Sequence, residues 1–164
     1  MRSSTLWSIT LSKTSIIKKD NLYLLGHSMG ALTAARISAS RQDISGLILQ
    51  APMVKFDQAV VNYARAAHPL ASGLIPENNF REGATRALEK ANIYHDNTRI
   101  KALLISSSTP TLLFLSPSDP IAPYSEFKDL TDSNINLVLL RERNHPSMGV
   151  IEKNEYELLV NWLK

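Results

Sequence analysis

Leu22-Tyr23-Leu24-Leu25-Gly26-His27-Ser28-Met29-Gly30 is the stretch whose reading decides the fold. Its first four residues are continuously apolar, the pattern of a short strand covered on both faces, and Gly26 ends it. Beyond it, Ala31, Leu32, Ala34, Ala35 and Ile37 predict a closely packed helix over Met29–Ser40, stopped by Arg41-Gln42-Asp43. Between strand and helix stands a Gly-x-Ser-x-Gly turn. Such a turn holds its serine in a strained conformation and pushes it outward, while Gly26 and Gly30 let neighbouring backbone approach without a Cβ clash.

Outward from this turn, the apolar runs Ile44–Gln50, Thr111–Leu115 and Ile135–Leu140 read as three more strands. Helices are expected at Phe56–Ala67, Gly83–Ile93 and Tyr124–Leu130, and along the C-terminal stripe Tyr156, Leu158, Leu159, Val160, Trp162 and Leu163. Residues 4–18 mix Leu6, Ile9, Leu11, Ile16 and Ile17 with hydroxyl and lysine residues and read as an amphipathic helix. Met53–Thr109 is irregular, broken at His68-Pro69, Ser72-Gly73 and Ile75-Pro76, and reads as a helical insertion. The alternation predicts one α/β domain over residues 1–164, with about four parallel strands and helices on both faces. In such sheets the reactive groups lie just past the carboxyl ends of the strands.

Three residues stand at those places: Ser28 after the first strand, Asp119 after the third and His145 after the fourth. Serine cannot form an alkoxide at neutral pH without a base, and an imidazole serves if a carboxylate fixes its tautomer and steadies its cation. The order Ser, Asp, His is the one this strand–turn–helix motif predicts. The backbone N–H of Met29, at the helix N-terminus, faces a developing oxyanion. Asp119-Pro120 can also be read as a plain turn, and Asp129 and Asp132 are the other carboxylates nearby, but both lie on or after the following helix. His68 and His95 fall in the insertion and receive no role. Tyr63, Phe80 and Tyr94 are read as packing of that insertion, and Arg141-Glu142-Arg143 as a solvated run.

The 164 residues, 44% hydrophobic and 20% charged, match one globular domain and exclude a disordered or fibrous chain. The net charge of +3 comes from scattered Lys and Arg, so no nucleic-acid partner is expected. With no cysteine there is neither a disulfide framework nor a thiolate metal site, which suits a cytoplasmic location. Lys13 interrupts the N-terminal apolar residues before a signal peptide forms, and no run approaches the roughly 20 apolar residues of a transmembrane segment. No Gly-rich phosphate loop, HExxH or His/Cys cluster is present, so neither a cofactor nor a metal is expected.

On Gly26-His27-Ser28-Met29-Gly30, on Pro110-Thr111-Leu112-Leu113-Phe114 leading into Asp119-Pro120-Ile121-Ala122-Pro123, and on Asn144-His145, the chain resembles the α/β-hydrolase family. Within it the chain is most similar to the capped monoacylglycerol lipase, lysophospholipase and serine-aminopeptidase-like group, from about Ile16 to Lys164. The resemblance implies hydrolysis of an ester or amide through an acyl-enzyme on Ser28, with a small or lipid-like acyl substrate. It implies a helical cap at about residues 53–100 that shapes the acyl pocket, and it makes His27 part of the nucleophile turn, not the base. Members carry about four strands ahead of the nucleophile, whereas 27 residues precede Ser28 here, enough for one helix. The expectation is therefore a partial α/β-hydrolase fold, N-terminally truncated, with Leu22–Leu25 as an open edge that invites pairing with a second copy. The competing expectation is a silent remnant that acts as a binding or dimerisation module.

Overall fold

The computed structural model describes residues 22–130 and 134–164, so the helix expected over residues 4–18, and Asp132, lie outside the described residues. The strands are β1 (Leu22–His27), β2 (Ile44–Gln50), β3 (Thr111–Leu115) and β4 (Ile135–Leu139). They form one sheet in the order β1-β2-β3-β4 with every neighbouring pair parallel. Around them are α1 (Met29–Ala39), α2 (Phe56–Ala67), α3 (Pro69–Leu74), α4 (Glu77–Lys90), α5 (Ile100–Ile105) and α6 (Lys153–Trp162).

The two-residue period of a strand divides the core. Leu47, Leu49, Leu113 and Leu115 point to one face, against Ala31, Leu32 and Ala35 of α1 and Ile100 and Leu104 of α5. Ile48, Leu112 and Phe114 point to the other, against Met148 and Leu159, with Trp162 at the margin. Each Leu, Ile or Phe removed from water in this way contributes about 1.5–3 kcal/mol, which is why the central strands are apolar on both faces. On the α6 side, a Cβ added at Gly46 would stand 2.6 Å from the Trp162 ring and 2.9 Å from Tyr23, so glycine is what lets α6 lie this close to the sheet. Helix α6 itself starts with a capping box between Glu152 and Glu155.

Several boundaries differ from the sequence reading. Strand β1 runs on to His27, and Leu25 is 52% exposed: among the described residues β1 pairs only with β2, and Leu25 lies between Tyr23, which packs on Trp162, and His27, which packs on His145. Helix α4 begins at Glu77, not Gly83: Pro76 precedes it and Glu77 sits in the first turn, where the helix dipole favours a carboxylate. The polar run Glu77-Asn78-Asn79 carries no apolar period to reveal this start. Helices α3 and α5, six residues each, were not legible for a similar reason, being too short to show a helical repeat. Tyr124–Leu130 contains only a 3-10 turn at Tyr124–Glu126, and β4 ends at Leu139.

Between β2 and α5, helices α2, α3 and α4 form the irregular insertion. Arg81 of α4 binds Asp57 at 2.7 Å and Glu77 at 2.6 Å and holds α4 against α2. Asn62 Nδ2 donates to the Ile121 carbonyl at 3.1 Å, which ties α2 to the loop after β3. The register sets the strand ends level, since His27 pairs with Gln50, Gln50 with Phe114, and Phe114 with Val138. Whatever follows β1, β3 and β4 is thereby delivered to one edge of the sheet.

Candidate active site

Ser28 follows β1 with φ 54° and ψ −118°, a region that a residue with a Cβ rarely occupies. Holding it there costs on the order of 1–3 kcal/mol, and the surrounding backbone over-determines it. Ser28 N–H donates to the Gln50 carbonyl at 2.9 Å, which continues the sheet ladder, and Ala31 N–H donates to the Ser28 carbonyl at 3.1 Å, which opens α1. Met29 is the first residue of α1, where backbone N–H groups have no partner within a helix.

The two flanking glycines are not equivalent. A Cβ on Gly26 would lie 2.4 Å from the Gly30 oxygen and 2.6 Å from its carbonyl carbon, so strand and helix backbones touch there. A Cβ on Gly30 would meet nothing within 4 Å among the described residues, which corrects the expectation that both glycines serve close approach. Gly26→Ala is therefore expected to destabilise the protein by about 1–3 kcal/mol or more, since backbone cannot step aside as a side chain can. Gly30→Ala is expected to stay within about 1 kcal/mol of wild type. Urea denaturation of the two variants checks the contrast.

Asp119, His145 and Ser28 are brought together. His145 Nε2 lies 2.8 Å from Ser28 Oγ, and His145 Nδ1 lies 2.7 Å from Asp119 Oδ2. Asp119 is 2% exposed and His145 8%. The other carboxylate oxygen, Oδ1, accepts from Ile121 N–H at 2.8 Å and Ala122 N–H at 3.0 Å. Burial by itself pushes the Asp119 carboxyl up, but the hydrogen bonds from His145, Ala122 and Ile121 outweigh it and hold the group below the usual aspartate range. An ionised acceptor at Nδ1 requires a proton on that nitrogen, which leaves the Nε2 lone pair facing the serine hydroxyl. Such an arrangement can take a proton from Ser28 Oγ and return it to a leaving group.

The loops that carry these residues are cross-tied. Ser116 Oγ donates to the Arg143 carbonyl at 2.6 Å and Ser118 Oγ to the Arg141 carbonyl at 2.8 Å, joining the loop of Asp119 to that of His145. Arg143 does not belong to a solvated run: its side chain is only 13% exposed and pairs with Glu155 at 3.0 Å, while also donating to the Ser147 carbonyl at 2.8 Å. These partners lie 4 to 12 residues downstream, so no local signal in Arg141-Glu142-Arg143 distinguishes the half-buried arginine from its exposed neighbours. His27, placed in the turn by sequence, contacts the His145 backbone, with Nε2 3.0 Å from its carbonyl oxygen.

The remaining candidates lie elsewhere. Asp129 pairs with Lys101 at 2.7 Å, and His95 lies 3.2 Å from Asp57 in the insertion. His68 is exposed at the end of α2. Tyr63 and Tyr94 are exposed and do not pack the insertion, contrary to expectation, and Phe80 is half-buried. Among the described residues no cluster of His, Asp or Glu is able to hold a metal ion, and no helix is long and apolar enough to cross a membrane. A cleft of about 710 Å³ runs along the outer stripe of α1, with Met29, Leu32 and Ile37 on one side and Leu88, Ala91 and Ile93 of the insertion on the other. Its first residue, Met29, is the neighbour of Ser28.

Comparison with known proteins agrees with the fold. The sequence model of the serine aminopeptidase (S33) hydrolase family matches residues 9–106. No curated protein sequence matches. A 2,6-dihydroxy-pseudo-oxynicotine hydrolase superposes with a TM-score of 0.65 at 18% identity, over 97% of this chain and 44% of that one. A Pyrococcus furiosus esterase superposes with a TM-score of 0.65 at 18% identity, over 95% and 57% of the respective chains. A Paleococcus ferrophilus monoacylglycerol lipase gives a TM-score of 0.52 at 19% identity, over 97% and 72%. The chain thus spans about half the length of the first two, and the likeness establishes an α/β-hydrolase fold.

Proposed function

This chain belongs to the serine aminopeptidase (S33) family of hydrolases, and on that premise we propose that it is a serine hydrolase cleaving carboxylic esters with a lipid-like or small acyl group. The observation that carries the reading is the unbroken hydrogen-bond chain from Ser28 Oγ through His145 to Asp119. His145 Nε2 takes the Ser28 proton as Oγ attacks the ester carbonyl carbon. The carbonyl oxygen becomes an oxyanion, and the Met29 N–H at the start of α1 stabilises it. Collapse breaks the bond to the alcohol, His145 hands its proton to the departing oxygen, and the acyl group remains on Ser28. Water, deprotonated by the same nitrogen, then attacks the acyl carbon, the bond from that carbon to Ser28 Oγ breaks, His145 returns the proton to Oγ, and the carboxylic acid leaves. Asp119 stays ionised throughout and steadies the imidazolium.

The apolar cleft that begins at Met29 supports an acyl chain as the specificity element, since its volume lies within the usual range for small-molecule sites. With p-nitrophenyl esters of increasing acyl length, kcat/KM is expected to rise by up to about fourfold per methylene, the equivalent of about 0.8 kcal/mol of burial, until the cleft is filled. A series that is flat or falls from acetate onward overturns the acyl assignment. Cleavage of an amide bond is a second reading, favoured by the description of the matched family. Paired ester and anilide substrates with the same acyl group separate the two.

A further inference from the structure

His27 is the last residue of β1 and the residue before Ser28, yet it does not enter the hydrogen-bond chain of Ser28, His145 and Asp119. Its Nε2 lies 3.0 Å from the His145 carbonyl oxygen, and because a carbonyl only accepts, that nitrogen carries a proton and donates it. The two imidazole rings lie 5.0 Å apart, centre to centre, tilted by 40°. The His27 ring also lies near Gly149, where an added Cβ would stand 3.5 Å from the ring. The His27 side chain thus bonds one end of the turn His145–Gly149 that carries the base and stands close to the other.

Asp119 fixes the rotation and tautomer of the His145 ring through Nδ1, but it does not fix the backbone from which the ring hangs. Arg143 and Ser116 secure that backbone from the side of β3 and α6. The link from the nucleophile's own strand is His27. A proton transfer between Ser28 and His145 depends on their 2.8 Å separation, and a displacement of about 1 Å can lower a rate about a hundredfold. We propose that His27 is a positioning residue whose hydrogen bond to the His145 carbonyl holds the base in register with Ser28. The proposal rests on the hydrolase reading of those two residues.

The test uses the full chain with His27→Phe, which keeps a ring beside Gly149 but has no donor, and His27→Gln, whose amide N–H reaches the same carbonyl. His27→Phe is expected to lower kcat about tenfold to a hundredfold with KM within about twofold of wild type and an unchanged melting temperature. His27→Gln is expected to recover most of that loss. In proton NMR, the low-field resonance of the His145 Nδ1 proton is expected in wild type and His27→Gln and broadened or lost in His27→Phe. Wild-type kcat and an intact resonance in His27→Phe overturn the proposal, and so does an equal loss in both variants accompanied by a lower melting temperature. A folded wild type that hydrolyses no ester instead removes the esterase reading, and the NMR comparison still decides whether His27 holds His145.

Discussion

Ser28→Ala is expected to lower ester turnover by about 10⁴–10⁶-fold while leaving substrate binding nearly unchanged. The magnitude follows from what is removed. Without Oγ there is no acyl-enzyme, and His145 and Asp119 have no proton to move, so the three side chains fail together instead of each losing a share. Only the oxyanion donor and the binding surface remain to act on water attack, and these support a small residual rate. Folding is expected to survive: a methyl group replaces a hydroxymethyl group at a half-buried position, and the backbone bonds that hold the strained turn, Ser28 N–H to Gln50 and Ala31 N–H to Ser28, do not use the hydroxyl. Initial rates with a p-nitrophenyl ester, alongside a thermal melt, check both statements. A folded variant that keeps a tenth of wild-type turnover contradicts the assignment of Ser28.

Asp119→Asn carries the second large effect, about 10⁴-fold in kcat, and it arises from a tautomer. Asn Oδ1 keeps the hydrogen bonds from Ile121 and Ala122, which orients its NH₂ toward His145 Nδ1. Two donors cannot face each other, so the imidazole moves its proton to Nε2, and Nε2–H can no longer accept the proton of Ser28. The same substitution alters stability against pH. The Asp119 carboxyl is held below its ordinary value in the fold, so it contributes stability above the unfolded value of about 3.9 and loses that contribution as pH falls through the folded value. The urea midpoint of wild type is therefore expected to drop on acidification below about pH 4 more steeply than that of Asp119→Asn. Parallel pH profiles for the two proteins would falsify the claim that the Asp119 bonds favour its ionised form.

The sheet and the three facing residues were legible in the sequence because both depend on local patterns. Four short apolar runs mark the strands, and Ser28, Asp119 and His145 each stand within a few residues of a strand's end. What escaped depends on partners distant in sequence or on elements too short to repeat. Arg143 looked solvated because Glu155 and the turn it braces are visible only once the chain is folded. His27 read as one letter of the turn motif, and its acceptor lies 118 residues away. Gly30 satisfies the motif as Gly26 does, but the close approach of backbone that leaves no room for a side chain at Gly26 arises only in the folded chain. Helices α3 and α5 span fewer than two turns each, which leaves no room for an apolar stripe to recur.

Activation of Ser28 is the claim on which the account turns, and an active-site-directed fluorophosphonate tests it without any assumption about substrate. The probe phosphonylates a serine only when a base removes its proton and a donor stabilises the oxyanion formed on phosphorus. Wild-type protein is expected to gain the mass of one adduct, on the peptide that contains Ser28, with no adduct on Ser28→Ala. Folded wild type that stays unlabelled, or labelling that persists in Ser28→Ala, would contradict the account.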